Sequence, residues 1–258
     1  SDNYEDTSGN AVFTSDEQLL LNKSNRWPTA GNSLTRVYWL GRTTVNVHYS
    51  DITTLGNTTD WGYAMRYAEY FAMTGSSGTR AVQCGYDAST SAVDSKLIEK
   101  LELRSAGAGT NFGELIVDAA YAGAGVSNGT RGVFTIGYVG SSVVDTMEYV
   151  TIASEGNATD FGNMTVIRHT LAGCASPTRG IISGGNNGYG SKRNTIDYIT
   201  IASTGNTTDF GDLAVARDGL SSCSSSTRGI ISGGDAGGQT DHIEYVTIAT
   251  AGNATDFG

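Results

Sequence analysis

The chain has 258 residues, of which 35 are glycine and two are proline. Its net charge of −10 argues against a nucleic-acid binder, which needs a basic face, and no apolar run approaches a membrane-spanning helix. The apolar content of 38% is too high for simple disorder, and glycine costs about 1 kcal/mol in a helix interior, so a helical bundle is excluded.

In chain order, residues 1–13 read as a polar tail and residues 14–258 as one domain. Residues 16–21 form the first apolar segment. Thr35-Arg36 is then the first copy of a marker that recurs at Thr79-Arg80, Thr130-Arg131, Thr178-Arg179 and Thr227-Arg228. Residues 56–62 are the first copy of a second marker, a Gly-Asn turn followed by an aromatic. That aromatic is Trp61, Phe112, Phe161, Phe210 and Phe257, in steps of 51, 49, 49 and 47 residues. A third marker, a carboxylate followed by Tyr and a β-branched run, occurs at residues 148–153, 197–202 and 244–249.

Each repeat reads as four short strands. The Thr-Arg run is one, stopped by glycines that allow positive φ. The Tyr run is the second, rich in β-branched and aromatic residues. The segment after the aromatic, such as residues 212–217, is the third. A small-residue stretch, such as residues 220–223, is the fourth, suited to a crowded axis. Four strands in about 49 residues predict an all-β fold, a five-bladed β-propeller of four-stranded antiparallel blades. Leu21 and Leu213 each lie 14 residues before their Thr. The N-terminal segment is therefore expected to complete the C-terminal blade.

The Ile181-Ile182-Ser183-Gly184-Gly185 run and the later Tyr198 resemble kelch repeats. The fuller unit, from Thr178-Arg179 through Asp197-Tyr198 to Asp209-Phe210-Gly211, is similar to the kelch-like arrays in structural proteins of marine tailed phages. It covers nearly the whole chain after about residue 30. The resemblance implies a virion-associated role without a mechanism.

A residue copied in every blade reads as structural, and one peculiar to a blade as the better site candidate. Arg36, Arg80, Arg131, Arg179 and Arg228 form one copied class. Asp60, Asp160, Asp209 and Asp256 form another, with Asn111 in the second blade. They are expected to be blade staples, with Arg paired to Asp or to loop carbonyls; a charged channel is the alternative. If the staple reading is right, the Asn111 blade should show an altered partner. Cys174 and Cys223 occupy equivalent positions and are expected to be small buried thiols pointing alike, not a redox pair. His48, His169 and His242 lack metal-binding spacing. The repeated Asn-x-Thr turns at Asn57, Asn157, Asn206 and Asn253 read as turn chemistry. Trp39, Tyr63, Tyr67, Tyr70 and Phe71 mark the first blade as atypical, as core or as an interface.

No catalytic residue, metal ligand or cofactor motif is identified, and the chain is not expected to be an enzyme. The loops after the glycine stops differ in every blade, and binding usually resides in such loops. The candidate binding residues are Tyr86, Asp87, Asn186, Asn187, Tyr189, Lys192, Arg193, Asp235, Gln239 and Asp241. The expected function is a non-enzymatic interaction module on a virion: a capsid decoration, neck or tail appendage, or host-recognition protein. Its partners would be other assembly proteins, further copies of itself or a cell-surface glycan. No nucleic acid and no membrane insertion are expected. The expected location is an extracellular particle, or else a secreted or cell-surface setting. A carbohydrate-binding propeller is the alternative; a glycosidase, which needs two carboxylates at fixed separation, ranks lower.

Overall fold

The structure is a computed structural model that describes residues 4–5, 11–12, 36–40, 46–51, 53–63, 73–85, 96–103, 105, 107–118 and 120–258. The chain divides into two compact units, Ser1–Leu34 and Thr35–Gly258. In the first, β1 (Tyr4–Glu5) pairs antiparallel with β2 (Ala11–Val12). The boundary expected at residue 13 lies outside the described residues, as does the segment 16–21.

The second unit is a five-bladed β-propeller. Blade 1 contains β3 (Arg36–Leu40), β4 (Asn46–Asp51) and β5 (Thr59–Tyr63). Blade 2 runs from β6 (Met73–Ser76) through β7 (Arg80–Cys84) and β8 (Leu97–Glu102) to β10 (Thr110–Glu114). Blade 3 has β12 (Ala124–Ser127), β13 (Arg131–Thr135), β16 (Thr146–Thr151) and β17 (Thr159–Asn163), and β11 (Ala120–Tyr121), β14 (Tyr138–Val139) and β15 (Ser142–Val143) form a separate small sheet. Blade 4 has β18 (Ala172–Ala175), β19 (Arg179–Ser183), β20 (Thr195–Thr200) and β21 (Thr208–Asp212). Blade 5 has β22 (Ser221–Ser224), β23 (Arg228–Ser232), β24 (Ile243–Thr247) and β25 (Thr255–Asp256). Within blades 2 to 5, neighbouring strands are antiparallel and follow chain order.

Two strand assignments are corrected. The strand after the Gly-Asn turn contains the aromatic itself, as in Thr208–Asp212, and residues 213–220 connect blades. The small-residue strand pairs with the Thr-Arg strand that follows it, as Ser221–Ser224 does with Arg228–Ser232. Blade 5 therefore takes all four strands from residues 221–256 and needs no strand from the N-terminus. Hydrophobicity alone left the phase of the repeat open; the pairing register fixes it.

The core lies between successive blades. Val82, Ile98 and Phe112 of blade 2 pack against Phe134, Val150 and Ile152 of blade 3. Val133 and Phe161 meet Ile182 and Ile199, and Ile181 and Phe210 meet Ile231 and Val246. Blades 1 and 2 join through Val47, Trp61, Leu101 and Leu103. Each fully buried side chain of this size contributes about 1.5–3 kcal/mol, so these layers dominate blade docking.

The small-residue strands make close packing possible. A Cβ on Gly125 would strike the Thr74 backbone, and one on Gly173 would crowd the Gly125 carbonyl. The Ser224 hydroxyl donates to the Ala175 carbonyl and accepts from the Ala175 amide. The side-chain positions thus serve the backbone of the neighbouring blade.

Candidate functional site

The copied arginines join blades through carbonyls. Arg131 Nη1 donates to the Ile201 carbonyl of blade 4, and Arg179 Nη1 to the Ile248 carbonyl of blade 5, each at 3.0 Å. Arg131 and Arg179 lie over the Tyr149 and Tyr198 rings at 4.2 Å, and Arg228 lies over Tyr245 at 4.4 Å. Arg80 reaches the Ile152 and Ala153 carbonyls and also pairs with Glu102. Lys100 stands where later blades have the stacking Tyr, and Glu102 stands where they have Thr151, Thr200 and Thr247, so the altered partner of Arg80 comes from Glu102 and not from Asn111. Lys100 itself pairs with Glu155 of blade 3. The copied aspartates are not the arginine partners among the described residues. Asp60 and Asp256 instead accept the amides of Gly62 and Gly258. Among the described residues, neither Asp160 nor Asp209 accepts a comparable bond, and the Arg36 side chain lies outside the described residues.

The repeated asparagines are inter-blade acceptors. Oδ1 of Asn157, Asn206 and Asn253 receives the amides of Glu114, Asn163 and Asp212 in the preceding blade. Gly156, Gly205 and Gly252 donate their amides to the Phe112, Phe161 and Phe210 carbonyls. This is the turn chemistry read from sequence, with an inter-blade role added.

The carboxylates of the third marker, together with Glu99, are buried, a role that the sequence did not reveal. Glu99, Glu148, Asp197 and Glu244 occupy equivalent third-strand positions and are essentially fully buried. A register shift beside Glu148 and Asp197 turns their side chains inward. Asp197 Oδ2 meets buried Arg168 Nη2 at 2.6 Å, and Thr165 and Thr207 hydroxyls donate to the same carboxylate. Arg168 also donates to the Gly184 and Thr195 carbonyls. Glu244 pairs at 2.6 Å with buried Arg217 and accepts the Ala214 amide. In the sequence, Ala119 stands one repeat before Arg168. Glu148 instead accepts the Ile116 and Val117 amides, and burial raises its pKa. Glu99 accepts from the Gln83 amide. Recurrence of Arg168 at Arg217, 49 residues on, was the available signal. These acids are braced from beneath the loops.

Above them lies a cleft of about 530 Å³ lined by Thr170, Asp218, Gly219, Gly234, Asp235, Gln239 and Thr240. Thr170 adopts φ 52°, unusual for a β-branched residue, and its carbonyl accepts the Gly219 amide at 3.0 Å. Lys192 Nζ sits 3.3 Å from Asp218 and 2.5 Å from Asp235, and also donates to the Asp235 carbonyl. The hydrogen bond from Lys192 holds the Asp235 carboxyl below its usual pKa, and the same contact raises that of Lys192. Asn186 Nδ2 donates to Asp218 at 3.1 Å. One ion cluster therefore ties the blade 4 loop to the blade 5 loop.

Four predicted residues converge here: Asn186, Lys192, Asp235 and Gln239. Asn187 does not line the cleft; it accepts the Tyr189 and Ser191 amides and shapes the loop tip. Tyr189 is 88% exposed at that tip. Arg193 uses its backbone to join Gly185 and Arg217, and Asp241 is exposed and apart from the lining. Tyr86 and Asp87 lie outside the described residues. Asp218 and Thr170 were not anticipated, because they fall in the short gap between the expected third and fourth strands. Behind the cleft, the His169 ring stacks on Tyr138 with centroids 4.4 Å apart, and desolvation lowers its pKa.

Other site readings resolve differently. Cys174 is buried and its pKa is pushed up to about 12, chiefly by burial, whereas Cys223 is exposed, contrary to the expected buried pair. No cluster of three metal-ligating side chains occurs among the described residues. Tyr63 is exposed, while Tyr38, Tyr49 and Trp61 pack in blade 1. Tyr67, Tyr70, Phe71 and the Trp39 side chain lie outside the described residues. No family model matches the chain, and a search of curated proteins finds no relative.

Proposed function

We propose that the chain is a non-enzymatic interaction module of a virion, which holds its variable loops on a rigid propeller to contact an assembly or host-surface partner. The observation that carries this reading is the Asp218–Lys192–Asp235 cluster. It locks two loops of unrelated sequence into one polar cleft while repeated residues build everything beneath. The likeness of the repeat unit to phage structural arrays supports the virion setting. Asp197 and Glu244 support a structural role for the buried acids, since both already face arginines. The test is co-sedimentation with particles purified from the source culture. Recovery in a fixed ratio to the major capsid protein is expected. Recovery only in the particle-free fraction, as a lone monomer, overturns the reading.

The cleft favours a second reading, glycan recognition. Its carboxylates, hydroxyls and amide suit a polyhydroxylated ligand, and Tyr189 offers an exposed ring on the adjoining loop. Binding on a glycan array that is lost in Gln239→Ala would select it. An array with no signal at multivalent display would remove it.

A further inference from the structure

The described residues form four blade-to-blade interfaces, and a five-bladed ring needs five. Each of the four uses the same strap. The outer strand of one blade has a glycine after its aromatic, and the Gly turn of the next blade lies directly over it. A Cβ on Gly62, Gly113, Gly162 or Gly211 would collide with the carbonyl of Gly107, Gly156, Gly205 or Gly252, respectively. In blade 1 this strap registers as a short parallel pairing between β5 and β9 (Gly107–Ala108). The arginine contact has the same direction, from Arg80, Arg131 and Arg179 to carbonyls of the blade that follows. Between blades 1 and 2, the Tyr38 hydroxyl takes this role and donates to the Leu103 carbonyl.

Blade 5 presents the unmatched half of the same contact. Gly258 has φ 142°, close to the 144°, 137° and 147° of Gly62, Gly162 and Gly211, yet nothing lies within 4 Å of where its Cβ would be. Arg228 stacks on Tyr245 as its counterparts do, but its guanidinium makes no hydrogen bond among the described residues. Ile230 is half-buried where Val82, Val133 and Ile181 are fully buried by the next blade, and Phe257 is 53% exposed. Blade 1 presents the other half. Its turn at Gly56 and Asn57 has the repeat sequence, Leu55 beside it is exposed, and Gly56 has nothing within 4 Å.

We propose that the Gly56-Asn57 turn of blade 1 docks on the outer strand of blade 5, with the Gly56 amide donating to the Phe257 carbonyl over Gly258. The propeller thus closes by the strap that joins its other blades, with no strand exchanged. Continuity with four existing interfaces identifies the occupant as this chain's own first blade. A second copy offers the same turn and would give a head-to-tail assembly instead.

The test is a pair of spin-label distances, measured by pulsed dipolar spectroscopy on the full chain in a Cys223→Ser background. Labels at Leu55→Cys and Thr255→Cys span the proposed interface. Labels at Ala251→Cys and Thr208→Cys occupy the corresponding positions across the blade 4–blade 5 interface and serve as the ruler. All four sites are exposed, so the labels spare the core. The expected result is the same mean distance for both pairs, unchanged on dilution with excess unlabelled chain. A longer distance across the first pair in a monomer overturns the proposal. A matching distance that disappears on dilution assigns the slot to a second copy and also overturns it.

Discussion

The two ends of the blades are built by different rules. At the turn end, Arg131, Arg179, Asn157 and Asn206 repeat with the blade, and each bonds to the backbone of a neighbouring blade. At the loop end, Asn186, Lys192 and Asp218 occur once, and they bond to one another. A backbone donor or acceptor is present in every blade, so a copied residue can always use it. A side-chain partner must appear with its mate, so it is confined to one place. The turn end is therefore a scaffold, and the loop end is where individual chemistry accumulates.

The buried carboxylates between these ends give the largest expected effects. Asp197→Asn leaves Arg168 charged and fully buried without its counter-ion. The loss should be about 3–5 kcal/mol, read as a lower denaturation midpoint in urea. A loss below about 1 kcal/mol would show that the carbonyl bonds alone hold Arg168. Arg179→Met removes one inter-blade hydrogen bond and a ring contact, and should cost about 1–2 kcal/mol. Unfolding followed by fluorescence and by circular dichroism should shift together.

Glu148 sharpens the comparison, because it holds the Asp197 position without an arginine. Its folded pKa is raised by burial, so the native state keeps a proton that the unfolded state releases. The protonated form stabilises fully below the unfolded pKa, and that stabilisation is lost as pH rises through the folded value. Glu148→Gln should therefore equal or exceed the parent in stability at neutral pH. The gap should narrow as pH falls toward the unfolded carboxylate value. A gap that widens on acidification would contradict this account. The smallest effect is expected at Lys192, whose exposed pairings are screened by salt. Lys192→Ala should leave the melting temperature nearly unchanged, checked by thermal unfolding at low and high salt.

The period of the Thr-Arg and Gly-Asn markers made the propeller and its blade count legible, because backbone geometry repeats with sequence. The phase of the blade was not legible. Residues 212–217 contain a short run of consecutive apolar side chains and resemble a strand, yet Leu213 and Arg217 are buried there as anchors of a blade connection. Half of the cleft was legible for the same reason that half was hidden. Asn186, Lys192, Asp235 and Gln239 sit in loops that visibly vary. Asp218 and Thr170 sit in connections whose role depends on a partner about 20 to 50 residues away.

Scaffold and recognition are separable if the two ends do what their chemistry indicates. The direct measurement is co-sedimentation with purified particles of three folded chains: the parent, Arg179→Met, and Lys192→Ala/Gln239→Ala. The account predicts that Arg179→Met is retained like the parent, while the cleft variant loses retention at least tenfold with its melting temperature nearly unchanged. Equal retention of the cleft variant, or loss confined to Arg179→Met, would contradict the assignment of recognition to the loop end.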